Sequence, residues 1–134
     1  MRKNTGFTLV EILISAIILM VLSSIGISSY QQITHQGRRA TAIAVLAENQ
    51  LKLEMYKAKN GSYSSDLSQV GGITKDDYYN YSIGVAANNY TLTATAISGT
   101  SQQNDSEGSV ACTTLTLNGP GSGPGMKTPS VCWN

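Results

Sequence analysis

Residues 3–24 read KNTGFTLVEILISAIILMVLSS, and this stretch decides the architecture of the chain. It places one carboxylate, Glu11, at the head of a long apolar run. From Ile12 to Gly37 there is no Asp, Glu, Lys or Arg, and from Ile12 to Leu22 only Ser15 is polar. A charged side chain within a bilayer costs roughly 2.5–3.5 kcal/mol on insertion scales and tends to be paired and functional. Glu11 therefore needs an exit to the interface or a partner.

The run has the dimensions of a membrane span. Phe7 to Ile27 is 21 residues, about 31 Å as a helix, against a hydrocarbon core of roughly 30 Å. A secretory signal peptide places a small-x-small cleavage site after its apolar region, and Ser23-Ser24-Ile25-Gly26 matches that pattern poorly. Arg2 and Lys3 precede the run, so the excess of positive charge keeps the N-terminus cytoplasmic and sends the rest outward. Arg38 and Arg39 lie on the far side and compete with that orientation, at some distance from the end of the run.

The remaining composition suits a small exported domain. The 134-residue chain carries a net charge of +1, which supplies no strong field toward nucleic acid or acidic partners. Its last two thirds are rich in Ser, Thr, Asn and Gly. Cys112 and Cys132 enclose 19 residues, and an oxidising compartment favours a disulfide over two free thiols. A zinc pair is disfavoured because the single histidine, His35, is remote in sequence.

Helical patterning continues beyond the apolar run. Residues 29–59 contain no Pro and only Gly37 as a breaker, Asn60-Gly61 supplies a stop, and Lys57 and Lys59 suit the negative end of the helix dipole. Two apolar stripes are expected on this half, one of Ile43, Ala47, Leu51, Met55 and Ala58, the other of Val45, Leu46, Leu53 and Tyr56. A surface helix needs one such stripe, so the second is either a wide core face or a surface for another subunit. A turn-rich connector, 61–77, leads to alternating segments. Tyr79, Tyr81, Ile83 and Val85 share a face of one strand. NYTLTATAI, 89–97, forms another, joined to the first by about three residues including Asn88. VACTTLTL, 110–117, is expected as a third. Residues 98–109 are expected as a long loop, and NGPGSGPG, 118–125, as irregular. Asp76-Asp77 reads as a solvated turn.

GFTLVE, Gly6 to Glu11, at the head of an apolar helix resembles the start of type IV pilins and pilin-like proteins. The ending CTTLTLN…MKTPSVCW is similar to the disulfide-bounded C-terminus of type IVa pilins, and YTLTATA fits one of their strands. The resemblance implies an α+β fold, in which a long N-terminal helix packs on a small antiparallel sheet and Cys112–Cys132 bounds a C-terminal loop. It implies a leader at 1–6, a membrane and polymerisation helix at 7–35 and a globular head at 36–134. A prepilin peptidase would cut between Gly6 and Phe7, and the new amine of Phe7 would be methylated. That ammonium would lie four residues before Glu11, and in a fibre Phe7 of one subunit would meet Glu11 of its neighbour. The implied partners are other pilin subunits, the peptidase, the pilus assembly machinery and the inner membrane, with an extracellular fibre as the destination. Two positions depart from the family pattern, which often has Pro at Ser28 and Gly at Met20.

The function expected from the resemblance is a pilus subunit of the minor kind that enters or primes fibres. One alternative is a DNA-uptake receptor pilin. Phosphate contacts dominate DNA affinity, and beyond the helix only Lys75 and Lys127 are basic, against Asp66, Asp76, Asp77, Asp105 and Glu107. Another alternative is a type II secretion pseudopilin. The calcium site expected of the major kind needs clustered acids, and these acids are scattered along the sequence. No catalytic constellation accompanies the lone histidine. The expectation is therefore a chain with no enzymatic activity, cofactor or metal.

Overall fold

The computed structural model describes residues 6–121 and 123–133. Residues 1–5 of the expected leader lie outside the described residues. The chain divides into two compact units, Met1–Thr34 and His35–Asn134.

Helix α1, Leu9–Asn60, contributes to both units. Its start is a T-x-x-E capping sequence: Thr8 Oγ1 accepts the backbone N–H of Glu11 at 3.3 Å, which satisfies one of the free donors of the first turn. Hydroxyls along the apolar half are satisfied by the helix itself. Ser15 donates to the Glu11 carbonyl at 2.8 Å and Ser23 to the Leu19 carbonyl at 2.7 Å. Polar side chains are tolerated in an apolar medium on that condition. The helix passes Ser28 without interruption. It stops at Gly61, whose φ of 80° gives the left-handed cap and whose N–H returns to the Lys57 carbonyl at 2.7 Å.

In the second unit one face of α1 packs on a sheet. Strands β1 (Tyr79–Ala86), β2 (Asn89–Ala96), β5 (Thr114–Gly119) and β6 (Lys127–Thr128) form an antiparallel sheet in the order β1-β2-β5-β6. The short pair β3 (Ser106–Glu107) and β4 (Val110–Ala111) stands apart from it. Alternation in β2 buries Tyr90, Leu92, Ala94 and Ala96. Register then sets Leu92 beside Ile83 and Leu117, and Ala94 beside Tyr81 and Leu115. Ala42, Leu46 and Leu53 of α1 close the core from the other layer.

Several expectations need correction. The third strand is interrupted. Val110–Ala111 pairs with β3, the N–H of Cys112 bonds to the Asp105 carbonyl at 2.9 Å, and only from Thr114 does the chain join the sheet. Unbroken alternation from 110 to 117 concealed that change of partner. The loop 98–109 contains a 3-10 helix, Ser101–Asn104, as well as β3. Asn118 and Gly119, expected as irregular, complete β5 because glycine alone fits under the Tyr90 ring. The β1–β2 turn has two residues, Ala87 and Asn88, with Ala87 at φ 51°. Of the two helical stripes, Ala47, Leu51, Met55 and Ala58 face outward, and the buried line runs through Arg39, Ala42, Leu46, Asn49 and Leu53. Asp76 is not a solvated turn residue. Its Oδ1 accepts the N–H groups of Tyr78 and Tyr79, and its Oδ2 takes the Tyr81 hydroxyl at 2.5 Å.

Candidate functional site

The N-terminal site is built by the first turn of α1. The Gly6–Phe7 peptide bond precedes the helix, and open space surrounds Gly6. Phe7 is 80% exposed. Capping by Thr8 places Glu11 in the first turn, where a carboxylate suits the positive end of the helix dipole. Glu11 is thus favoured locally before any second subunit arrives. Beyond it, Ile12, Leu13, Ile14, Ile17, Ile18, Leu19 and Met20 are all more than half exposed. The helix is long and apolar enough to cross a membrane, and none of its most apolar window is buried.

The head offers three chemical groupings. The first is the Cys112–Cys132 disulfide, with Cα atoms 5.7 Å apart and both residues fully buried. It ties the link between β4 and β5 to the C-terminal 3-10 turn, Ser130–Trp133.

The second is a carboxylate shared by two phenols. Glu54 accepts the Tyr63 hydroxyl at 3.1 Å and the Tyr90 hydroxyl at 2.9 Å, and the two rings stack edge to face at 4.7 Å. Burial and then the Glu54 hydrogen bond raise the Tyr90 phenol well above its ordinary value, so it stays a donor.

The third is an ionic cluster around Arg39. Its guanidinium donates to Glu107 Oε2 at 2.8 Å and to Cys112 Sγ at 2.8 Å, and stands 3.5 Å from Asp105 Oδ2. Asp105 and Glu107, read from the sequence as scattered, are brought together on one cation. Arg39, read from the sequence only as a charge beyond the apolar run, points into the head. Spacing could have flagged it, because Arg39, Ala42, Leu46, Asn49 and Leu53 lie on one helical face. A charge on an otherwise apolar line signals a buried partner.

Half-buried cations sit on aromatic faces. Arg38 lies 4.0 Å from the Tyr78 ring, Lys57 4.3 Å from Tyr63 and Lys127 5.2 Å from Trp133. A groove of about 430 Å³ runs between α1 and the loop after β5, lined by Ala47, Gln50, Leu51, Glu54, Pro120 and Gly121. Among the described residues no group of His, Cys, Asp and Glu is arranged to hold a metal.

Comparison with known proteins agrees with this geometry. A prokaryotic N-terminal methylation motif matches residues 1–27. The family described as type IV minor pilin ComP, DNA uptake sequence receptor, matches residues 28–116. The type II secretion system core protein G of Dickeya chrysanthemi is 28% identical over 74 residues, 55% of this chain and 48% of that protein. The chain thus spans about half the length of this curated relative. A type IV pilin structure from Shewanella oneidensis superposes with a TM-score of 0.54 at 24% identity, covering 75% of this chain and 98% of that one, a likeness of fold. With both matched segments on the same chain, a methylation motif followed by a pilin head, this protein belongs to the type IV minor pilin ComP, DNA uptake sequence receptor, family.

Proposed function

We propose that this chain works as a minor subunit of a type IV pilus. It is cut by a prepilin peptidase between Gly6 and Phe7, methylated at Phe7, and held in the inner membrane by residues 7–35. It then enters or primes a fibre at the cell surface. The observation that carries the reading is the exposed apolar half of α1, which begins with a capped turn holding its one carboxylate. Such a surface is stable only when lipid or other helices cover it.

Cleavage removes Arg2 and Lys3 and creates an ammonium at Phe7. In lipid, Glu11 lies at one end of the apolar run, where its carboxylate reaches the interface. In a fibre it meets the Phe7 ammonium of a neighbouring subunit. At low effective dielectric the pair is strongly coupled, and removing one partner leaves a buried charge at a cost of about 3–5 kcal/mol. That cost selects one axial register. The outward stripe of Ala47, Leu51, Met55 and Ala58 extends the apolar surface available for subunit contact within the head. The partners are therefore other pilin subunits and the assembly machinery, and the chain itself performs no chemistry.

Glu11→Ala tests this reading. Processing should proceed, read as a mature N-terminus at methylated Phe7 by mass spectrometry, while recovery in sheared fibres falls at least tenfold. Wild-type recovery of the variant, or a mature chain that begins elsewhere, refutes the assembly role.

The family match over residues 28–116 supports a second reading, that the displayed head binds DNA. The cations available beyond α1 are Lys75 and Lys127, the latter beside the Trp133 ring. So few phosphate contacts give a shallow salt slope, and retention must come largely from specific contacts to bases or shape. Full-length protein in detergent micelles should retain duplex DNA at low salt and lose it when Lys127→Ala and Lys75→Ala are combined. No shift at low salt removes this reading.

A further inference from the structure

Two carboxylates compete for one guanidinium inside the head. Arg39 is 3% exposed. Its close contacts go to Glu107 Oε2 and to the Cys112 sulfur, each at 2.8 Å. Asp105, whose side chain is 1% exposed, receives only the longer 3.5 Å approach of Nε. Glu107 is also partly solvated and takes a second donor, Gln36 Nε2, at 3.3 Å. The surplus negative charge of the cluster therefore falls on the more deeply buried acid, where an unmatched charge is most expensive.

The amide of Gln102 points to the same shortage of protons. Its Nε2 lies 2.8 Å from Tyr79 Oη, 2.9 Å from Asp105 Oδ2 and 3.2 Å from the His35 carbonyl. An amide nitrogen carries two hydrogens, so three acceptors cannot all be served. Gln102 Oε1 is buried without a donor. One additional proton on Asp105 would cancel the surplus charge.

The geometry points to Asp105 as a proton-operated fastener, which takes up a proton as the medium turns mildly acidic and thereby tightens the segment Ser101–Ala111 against α1. The groups that face it are Arg39 and His35 from α1, Tyr79 from β1, Gln102 from the 3-10 helix and Glu107 from β3. Tyr79 stays protonated, its phenol pushed up to about 12, chiefly by burial. Burial raises the Asp105 carboxyl above its ordinary value, against the lowering pull of Arg39, then of His35 and Gln102. The hydrogen bonds from Arg39 and then Gln36 lower that of Glu107.

The two acids act with opposite sign on stability. Asp105 has a higher pKa folded than unfolded. Its contribution is fully present below the unfolded value and is lost as pH rises through the folded one. Glu107 has a lower pKa folded than unfolded. Its contribution is present above the unfolded value and is lost as pH falls through the folded one. Head stability therefore peaks in mild acid, between the depressed Glu107 value and the raised Asp105 value.

The test uses the full chain in detergent micelles, with thermal melts of the head scanned from neutrality down to about pH 2, below the ordinary carboxyl range, and amide exchange followed over residues 101–111. The wild-type head should melt several degrees higher in mild acid than at neutrality, with protection over 101–111 rising by up to about tenfold. Asp105→Asn should melt at neutrality as the wild type does in mild acid and lose that limb of the profile. His35→Gln should keep it, and Glu107→Gln should lose only the acid limb. A wild-type melt that is flat or falls from neutrality downward overturns the proposal. So does an Asp105→Asn head that is weaker than wild type at neutrality, folded or not, because the charge would then be needed. Dependence that disappears with His35→Gln and survives in Asp105→Asn assigns the proton to His35 and also overturns it.

Discussion

The two halves of α1 face different solvents with one backbone. In the first half Leu13 is 53% exposed and Met20 73% exposed, and apolar side chains occur all round the helix. In the second half Ala42, Leu46 and Leu53 are completely buried, while charged and small residues take most of the outer face. A helix that is apolar on every side belongs in lipid or among other helices; one with a single buried line belongs against its own sheet. The head carries its own core, whereas the N-terminal half supplies a surface that must be covered from outside the chain. Energetic damage should segregate accordingly, and that separation is what experiments can break.

The largest expected effect tests the separation directly. Leu53 is fully enclosed by the core, so Leu53→Ala loses both transfer energy and packing, about 4 kcal/mol. For a domain of this size that lowers the melting temperature by about 15 °C or more. Leu13→Ala removes the same atoms from the exposed half and should leave the head's melt unchanged while reducing recovery in fibres. Thermal melts of both variants in micelles, beside fibre yields, make the comparison. A Leu13→Ala head that melts lower would show that the two units share stability.

Much of this division could be read from residue order. Absence of charge from Ile12 to Gly37, the stop at Asn60-Gly61 and the alternation in NYTLTATAI each specify one local structure with little competition. The residues expected at the N-terminal site, Gly6, Phe7 and Glu11, lie close together in sequence, so their grouping needs no distant partner. What escaped depends on partners far away in the chain. Asn49 looks like an ordinary polar helix residue. It is fully buried, and its amide exchanges two 2.8 Å hydrogen bonds with the backbone of Ile73, standing in for a strand neighbour. Arg39 reads as a surface cation until residues 105–112 fold against it. The break between Ala111 and Thr114 was hidden because periodicity reports which way side chains alternate, not which strand they pair with.

The second effect concerns the C-terminal closure. Cys112 and Cys132 are 20 residues apart, and closing a loop of that length contributes about 3 kcal/mol in the chain-entropy view. Reduction, or Cys132→Ser, should lower the head's melt by about 12 °C or more and leave the proposed cleavage before Phe7 untouched. If fibre recovery falls more steeply than the melt predicts, the loop itself takes part in contact between subunits. An unchanged melt would mean that packing around β5 holds the closure without the bond.

The smallest effect lies in the β1–β2 turn. Ala87 adopts φ 51°, a left-handed conformation in which its Cβ crowds the following carbonyl. Glycine carries no such penalty, though it also gains freedom in the unfolded chain. Relief of roughly 1–2 kcal/mol against an entropic loss of roughly 0.5–1 kcal/mol leaves a small net gain. Ala87→Gly should therefore raise the melt of the head by about 2–5 °C. It should change neither processing nor fibre entry, since the turn belongs to the unit that carries its own core. A lower melt would mean that the methyl group of Ala87 packs favourably enough to outweigh the strain in its backbone.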